Sequence, residues 1–183
     1  MDRAAWINWT VPRREKKLEQ LRKKGDWMGA ISLYDKSFLL HGFIKDIERY
    51  DDASYWALLA HVWTNIEFPW NDRRLLLTLF QSPCPERDKL MNKSEHQALA
   101  RLPESFPVYR GFIGRRAKGL SWTTDQTKAI WFAKRFANTG IGAPRLVSGI
   151  AAKNDVLAYF TRRKESEVVI DPENVKERKS QML

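Results

Sequence analysis

The stretch KESEVVID, residues 164–171, sets Glu165 and Glu167 two positions apart directly before a run of β-branched residues. In an extended chain such residues point to the same side, about 6.6 Å apart at ~3.3 Å rise per residue. Two carboxylates so placed could stabilise a developing positive charge and receive a proton. On a helix, residues i and i+2 do not face each other, so the strand reading is the one that makes a pair. A second reading stays open, in which the two charges simply solvate a strand edge, as Asp and Glu usually do.

Other chemistry-bearing residues offer less. Cys84 is the only cysteine and sits in SPCPERD, a loop-like setting with no activating motif beside it, so it reads as structural or neutral. His41, His61 and His96 have neither metal-ligand spacing nor a nucleophile motif and read as packing or surface residues. GFIG at 111–114 followed by RRAKG lacks the Lys-Ser/Thr of a phosphate-binding P-loop, and its strand-like flanks do not suit an RNA-binding GXXG, which needs helices; a basic turn is the better reading. No metal site or covalent nucleophile is indicated.

The elements that must position the pair follow from periodicity. FPVYRGF reads as a strand, GRRAKG as a turn, and GLSWTT as a second strand leading into a helix. That helix, QTKAIWFAKRFA, has Asp125 as its N-cap and an apolar stripe of Ala129, Phe132, Ala133 and Phe136. RLVSGIAA, VLAYF and EVVI supply further strands, with Asn154-Asp155 and the basic TRRK of 161–164 between them.

Before PESFP, residues 103–107, the pattern is helical. Arg13–Lys24 is a basic amphipathic segment with Leu18 and Leu21 on its apolar side, and WMGAISLYDKSFLLHGFIKDI continues in helical spacing. YWALLAHVW stacks Tyr55, Leu59, Val62 and Trp63 on one face; Pro69 punctuates the chain before NDRRLLLTLF; KSEHQALARL takes Ser94 as N-cap. Trp6, Trp9, Trp27, Trp56, Trp63 and Trp70 all fall in this part. Base stacking on single-stranded nucleic acid is one use for aromatics among basic residues, but at helical spacing core packing is favoured.

The order of motifs adds a resemblance. Arg110 in VYRGF, then Ser121-Trp122-Thr123, then Glu165-Ser166-Glu167 before VVI resembles the Arg, Ser-Thr-Ser and Glu-x-Glu series of the R-S-E class of mono-ADP-ribosyltransferases, and is most similar to bacteriophage-borne members. The resemblance covers residues 107–173. It implies an α+β fold: a helical N-terminal region, 1–104, that selects a target or covers the module, followed by a mixed β-sandwich NAD-binding catalytic module over 105–183. It implies NAD as substrate and no metal. Arg110, with its neighbour Gly111, would hold the cofactor, the planar guanidinium suiting the diphosphate better than a lysine would. Ser121 would prop the catalytic carboxylate and line the cofactor pocket with Trp122 and Thr123. Glu167 would bind the ribose and stabilise the oxocarbenium-like transition state, while Glu165 would orient or activate the acceptor. Trp122, where many members carry a Thr, departs from the pattern; it would stack on a ring or fill core.

Composition sets the frame for that chemistry. The 183 residues, 43% hydrophobic, suffice for one domain or a domain with a helical extension. No apolar run approaches the ~18 residues of a membrane span, and a soluble, cytoplasmic protein is expected, in a host cell if phage-encoded. The net charge of +10 is uneven: 1–104 carry 17 basic against 15 acidic residues, and 105–183 carry 15 against 7. A basic second half suits a phosphate-bearing cofactor, nucleic acid or an acidic protein. The expected activity is transfer of ADP-ribose from NAD to a host protein or nucleic acid, with a weak preference for a guanidinium acceptor. Two alternatives remain: an NAD glycohydrolase using the same site, and a non-catalytic basic module that binds nucleic acid or an acidic host protein.

Overall fold

The computed structural model describes residues 3–67, 69, 71–114, 116–135 and 142–183, with side chains from residue 11 onward. The expectations for the side chains of Trp6 and Trp9, for Trp70 and for Phe136 lie outside these. The chain divides into two compact units, Met1–Pro69 with Cys84–Leu90, and Trp70–Pro83 with Met91–Leu183. The PESFP stretch lies inside the second unit.

The first unit is helical: α1 (Arg3–Lys23), α2 (Trp27–Ile31), α3 (Leu39–Lys45) and α4 (Asp52–Asn65). Asp26 caps α2 by accepting from the Gly29 amide at 2.9 Å, and Asp51 caps α4 by accepting from the Ser54 amide at 2.8 Å. The helical spacing expected to run through WMGAISLYDKSFLLHGFIKDI is interrupted. Asp35 adopts extended backbone, a short 3₁₀ turn follows at Lys36–Phe38, and α2 and α3 are separate helices. Tyr55, Leu59, Val62 and Trp63 are buried as their spacing suggests, and Trp56 is buried with them. Trp56 and Trp63 are therefore core residues. The Trp56 indole N–H donates to the carbonyl of Pro85 at 2.7 Å.

The second unit holds α5 (Arg73–Phe80), α6 (Lys93–Ala100) and the sheet: β1 (Ser105–Ile113), β2 (Ser121–Thr123), α7 (Gln126–Lys134), β3 (Pro144–Ala152), β4 (Val156–Phe160), β5 (Glu167–Ile170) and β6 (Lys176–Met182). The strands form one antiparallel sheet in the order β4-β5-β2-β1-β3-β6. The protein is thus mixed α/β, with α1 to α6 N-terminal to a six-stranded antiparallel sheet and α7 between its strands β2 and β3.

The expected β-sandwich is corrected: the described strands make a single sheet whose two faces are covered by helices. Alternation along β1 puts Phe106, Val108, Arg110 and Phe112 on one face and Tyr109, Gly111 and Ile113 on the other. On the first face Phe106, Val108, Phe112, Trp122, Val147 and Val168 form a core against which Ala98 and Leu99 of α6 pack. On the second, α7 lies so close that a Cβ at Gly111 would come within 1.8 Å of the Ala129 carbonyl oxygen. With both faces covered, no second sheet is required.

Asp125 caps α7 as expected, accepting from the Lys128 amide, and Ala129 and Ala133 of the apolar stripe are buried. The cap of α6 is Asn92 and not Ser94: the Asn92 side chain accepts from the Glu95 amide while the Glu95 carboxylate accepts from the Asn92 amide, a reciprocal capping box. Strand β6 was not expected from the sequence; its side chains are exposed along its whole length, so it carries no alternation to read. Among the described residues no helix is long and apolar enough to cross a membrane.

Candidate functional site

Strand pairing brings the motifs together. Tyr109 of β1 lies opposite Thr123 of β2, and Thr123 lies opposite Glu167 of β5, so all three motif segments are lateral neighbours in the sheet. Ser121 Oγ donates to Glu167 Oε1 at 2.5 Å. Glu167 opens β5 with its side chain only 7% exposed, a carboxylate drawn largely out of water and held there by charge-assisted contacts.

Ser121 is also where Arg110 attaches. The Arg110 guanidinium donates to the Ser121 carbonyl at 2.6 Å and to the Arg116 carbonyl at 3.2 and 3.3 Å, and it packs against Gly119, where a Cβ would lie 2.2 Å from Nη2. Ser121 therefore joins Arg110 on its carbonyl side to Glu167 on its hydroxyl side. Burial pushes the Arg110 guanidinium down to about 10, the charge of Glu167 partly offsetting this; it remains a cation at neutral pH.

The remaining residues of the expected cofactor set make contacts within the protein. Gly111 lets α7 approach the sheet. Trp122 is 2% exposed, with its indole N–H donating to the Gly119 carbonyl at 3.0 Å, so of its two expected uses the core-filling one is observed. Thr123 is buried; its hydroxyl donates to the Glu165 carbonyl at 2.6 Å and accepts from the Asp125 amide at 3.0 Å, linking β2, the start of α7 and the segment before β5.

The geometry expected for the carboxylate pair is corrected. Residues 165–167 are not continuously extended: β5 begins at Glu167, and Lys164 and Ser166 have φ of 55° and 46°. Each such left-handed non-glycine residue costs about 1–2 kcal/mol, so the alternation argument fails for this segment. The pair converges by another route. Arg163 Nη2 lies 3.0 Å from Glu165 Oε2 and 3.5 Å from Glu167 Oε2, one cation serving both carboxylates.

What holds the turn in this conformation was not legible as a site. Glu95 of α6 is fully buried and accepts from the Thr161 amide at 3.2 Å, from Arg162 Nε at 3.0 and 3.2 Å, and from Arg162 Nη2 at 3.0 Å. At the other end of the turn the Thr124 amide donates to the Ser166 carbonyl at 3.2 Å. The N-x-x-E spacing of Asn92 and Glu95 could have been read as a capping box, but nothing local links Glu95 to a turn 66 residues further along.

Cys84 is half-buried, its thiol pushed up to about 11 by burial and then by the hydrogen bond to Asp52, so it stays protonated at neutral pH. Among the described residues no group of His, Cys, Asp and Glu is arranged to hold a metal ion.

The buried Ser121–Glu167 bond, Arg110 behind it and Glu165 beside it are what the structure offers for comparison with other proteins. Comparison with protein-family models found no match, nor did comparison with curated proteins or with solved structures.

Proposed function

We propose that the protein is a mono-ADP-ribosyltransferase that breaks the nicotinamide–ribose bond of NAD. The observation that carries this reading is the role of Ser121, which binds Arg110 through its carbonyl and Glu167 through its hydroxyl. A cation, a serine hydroxyl and a largely dehydrated carboxylate on adjacent strands suit glycosidic cleavage. As the C1′–N bond breaks, its electron pair leaves with nicotinamide and neutralises the pyridinium. The ribose becomes oxocarbenium-like, and Glu167, preplaced as an anion, stabilises that charge without reorganising. Three of the N–H contacts of Arg110 go to carbonyls; its remaining donors and its charge serve the diphosphate.

Glu165, more exposed than Glu167 at 18% of its side chain, faces the acceptor, which adds to C1′ and gives up its proton to the Glu165 carboxylate. The acceptor is a group on a macromolecule, a guanidinium being the chemistry that a carboxylate in this place best orients.

The test is nicotinamide release from NAD by the wild-type protein and by Glu167→Gln. Release in the variant should fall by roughly 10²-fold or more, the scale of losing an electrostatic stabiliser, with little change in Tm. Label from the adenylate half of NAD should move to protein or nucleic acid. Appearance of free ADP-ribose alone would mark a glycohydrolase, and undiminished release by Glu167→Gln would remove Glu167 from the chemistry.

A further inference from the structure

We infer that Glu95, which touches neither carboxylate of the pair, is a positioning residue for Glu165 and for Arg163, the cation that serves both carboxylates, acting with Arg162 to hold the 161–166 turn; the catalytic part of this inference rests on the transferase reading. The turn is closed by the Phe160–Glu167 pair of β4 and β5 but has no ladder within it. It leaves β4 at Phe160, contains left-handed backbone at Lys164 and Ser166, and delivers Glu165 and then Glu167. A single internal backbone bond, from the Lys164 amide to the Thr161 carbonyl at 2.9 Å, is the one found within it among the described residues. Such a turn keeps a strained shape only where its surroundings over-determine it.

Glu95 supplies that constraint from outside. Its two oxygens together take the Thr161 amide, the Nε and Nη2 donors along one edge of the Arg162 guanidinium, and the Asn92 amide that starts α6. The carboxylate is thereby fixed to a helix terminus on one side and to the turn on the other. Arg162 is oriented by a paired contact, which specifies direction as well as distance. The next residue, Arg163, then points at Glu165 and Glu167. Thr123 and the Thr124 amide close the far end. Removing the charge at 95 leaves that far end intact and releases the near one, so the turn relaxes and Arg163 and Glu165 lose their fixed positions.

A buried charge left without its partner often unfolds a protein, so two variants are used. Glu95→Gln keeps size and loses the anion; Arg162→Lys keeps charge and loses the fork. For each, amide hydrogen exchange across the chain is compared with wild type, alongside Tm and the rate of nicotinamide release from NAD. The expected result is faster exchange confined to the segment 161–166, with release falling about tenfold beyond any loss of folded protein, since misplacement near 1 Å costs up to about 10²-fold. Exchange unchanged at 161–166 in both variants overturns the inference. So does exchange that rises across the whole second unit while release falls only in proportion to the folded fraction, because Glu95 is then a stabiliser of the fold alone. A wild type that releases no nicotinamide sinks the transferase reading instead, and the exchange comparison by itself then decides whether Glu95 holds the turn that carries Glu165.

Discussion

Each compact unit contains an arginine paired with a buried carboxylate, and the two pairs do different work. In the first unit Arg22 Nε meets Asp46 Oδ2 at 2.7 Å, with side chains 10% and 7% exposed, and Arg49 approaches the other oxygen at 3.2 Å. This pair ties α1 to the end of α3, two helices whose backbones are satisfied by their own hydrogen bonds. Burial alone would lower Arg22, but hydrogen bonding to Asp46 and its charge reverse this and hold the guanidinium above its usual value. In the second unit Glu95 and Arg162 tie a helix to a turn that has almost no hydrogen bonding of its own. A pair between regular elements adds to stability; a pair holding an irregular segment sets geometry.

That contrast can be broken in the first unit. Asp46→Ala should leave Arg22 buried beside only Tyr34 and cost about 3–5 kcal/mol, the range for removing one partner of a buried pair. Thermal or denaturant unfolding reads this directly. Nicotinamide release per folded molecule should be unchanged, and a fall would mean that the first unit also shapes the site. Within the second unit, Ser121→Ala removes a bond to a charged group worth roughly 1.5–3 kcal/mol. Release per folded molecule should drop about tenfold or more alongside a Tm lower by several degrees, whereas a drop in Tm with an unchanged rate per folded molecule would make Ser121 a strut. The smallest effect is expected from Thr123→Val, which keeps the shape and removes the bonds of the hydroxyl to the Glu165 carbonyl and from the Asp125 amide, each worth about 1 kcal/mol. Transfer to an acceptor should fall a few-fold more than hydrolysis; equal falls would show that the far end of the turn does not act through Glu165.

The elements were legible where local signals suffice. Strand segments from FPVYRGF to EVVI appear as β1 to β5 because their apolar residues alternate or run continuously between turn residues, and Asp125 caps α7 because its carboxylate reaches an amide three residues on. Even locally the strongest competitor mattered: Asn92 took the cap of α6 from Ser94 because Glu95 could answer it reciprocally. Strand β6 carries no apolar alternation, and its place was decided by pairing with β3.

What the sequence by itself determined is the identity and order of the chemical groups: an arginine on one strand, a serine opening a second, and a carboxylate opening a third. Their joining through Ser121 required the strand order β5-β2-β1, a long-range outcome that no window of residues specifies. The pair of glutamates shows the same division. Their spacing suggests an extended segment, but backbone at Lys164 and Ser166 turns left-handed, and the carboxylates meet through Arg163 instead. That conformation is costly on its own, and tertiary contacts from Glu95, Thr123 and Thr124, distant in the chain, help to hold it.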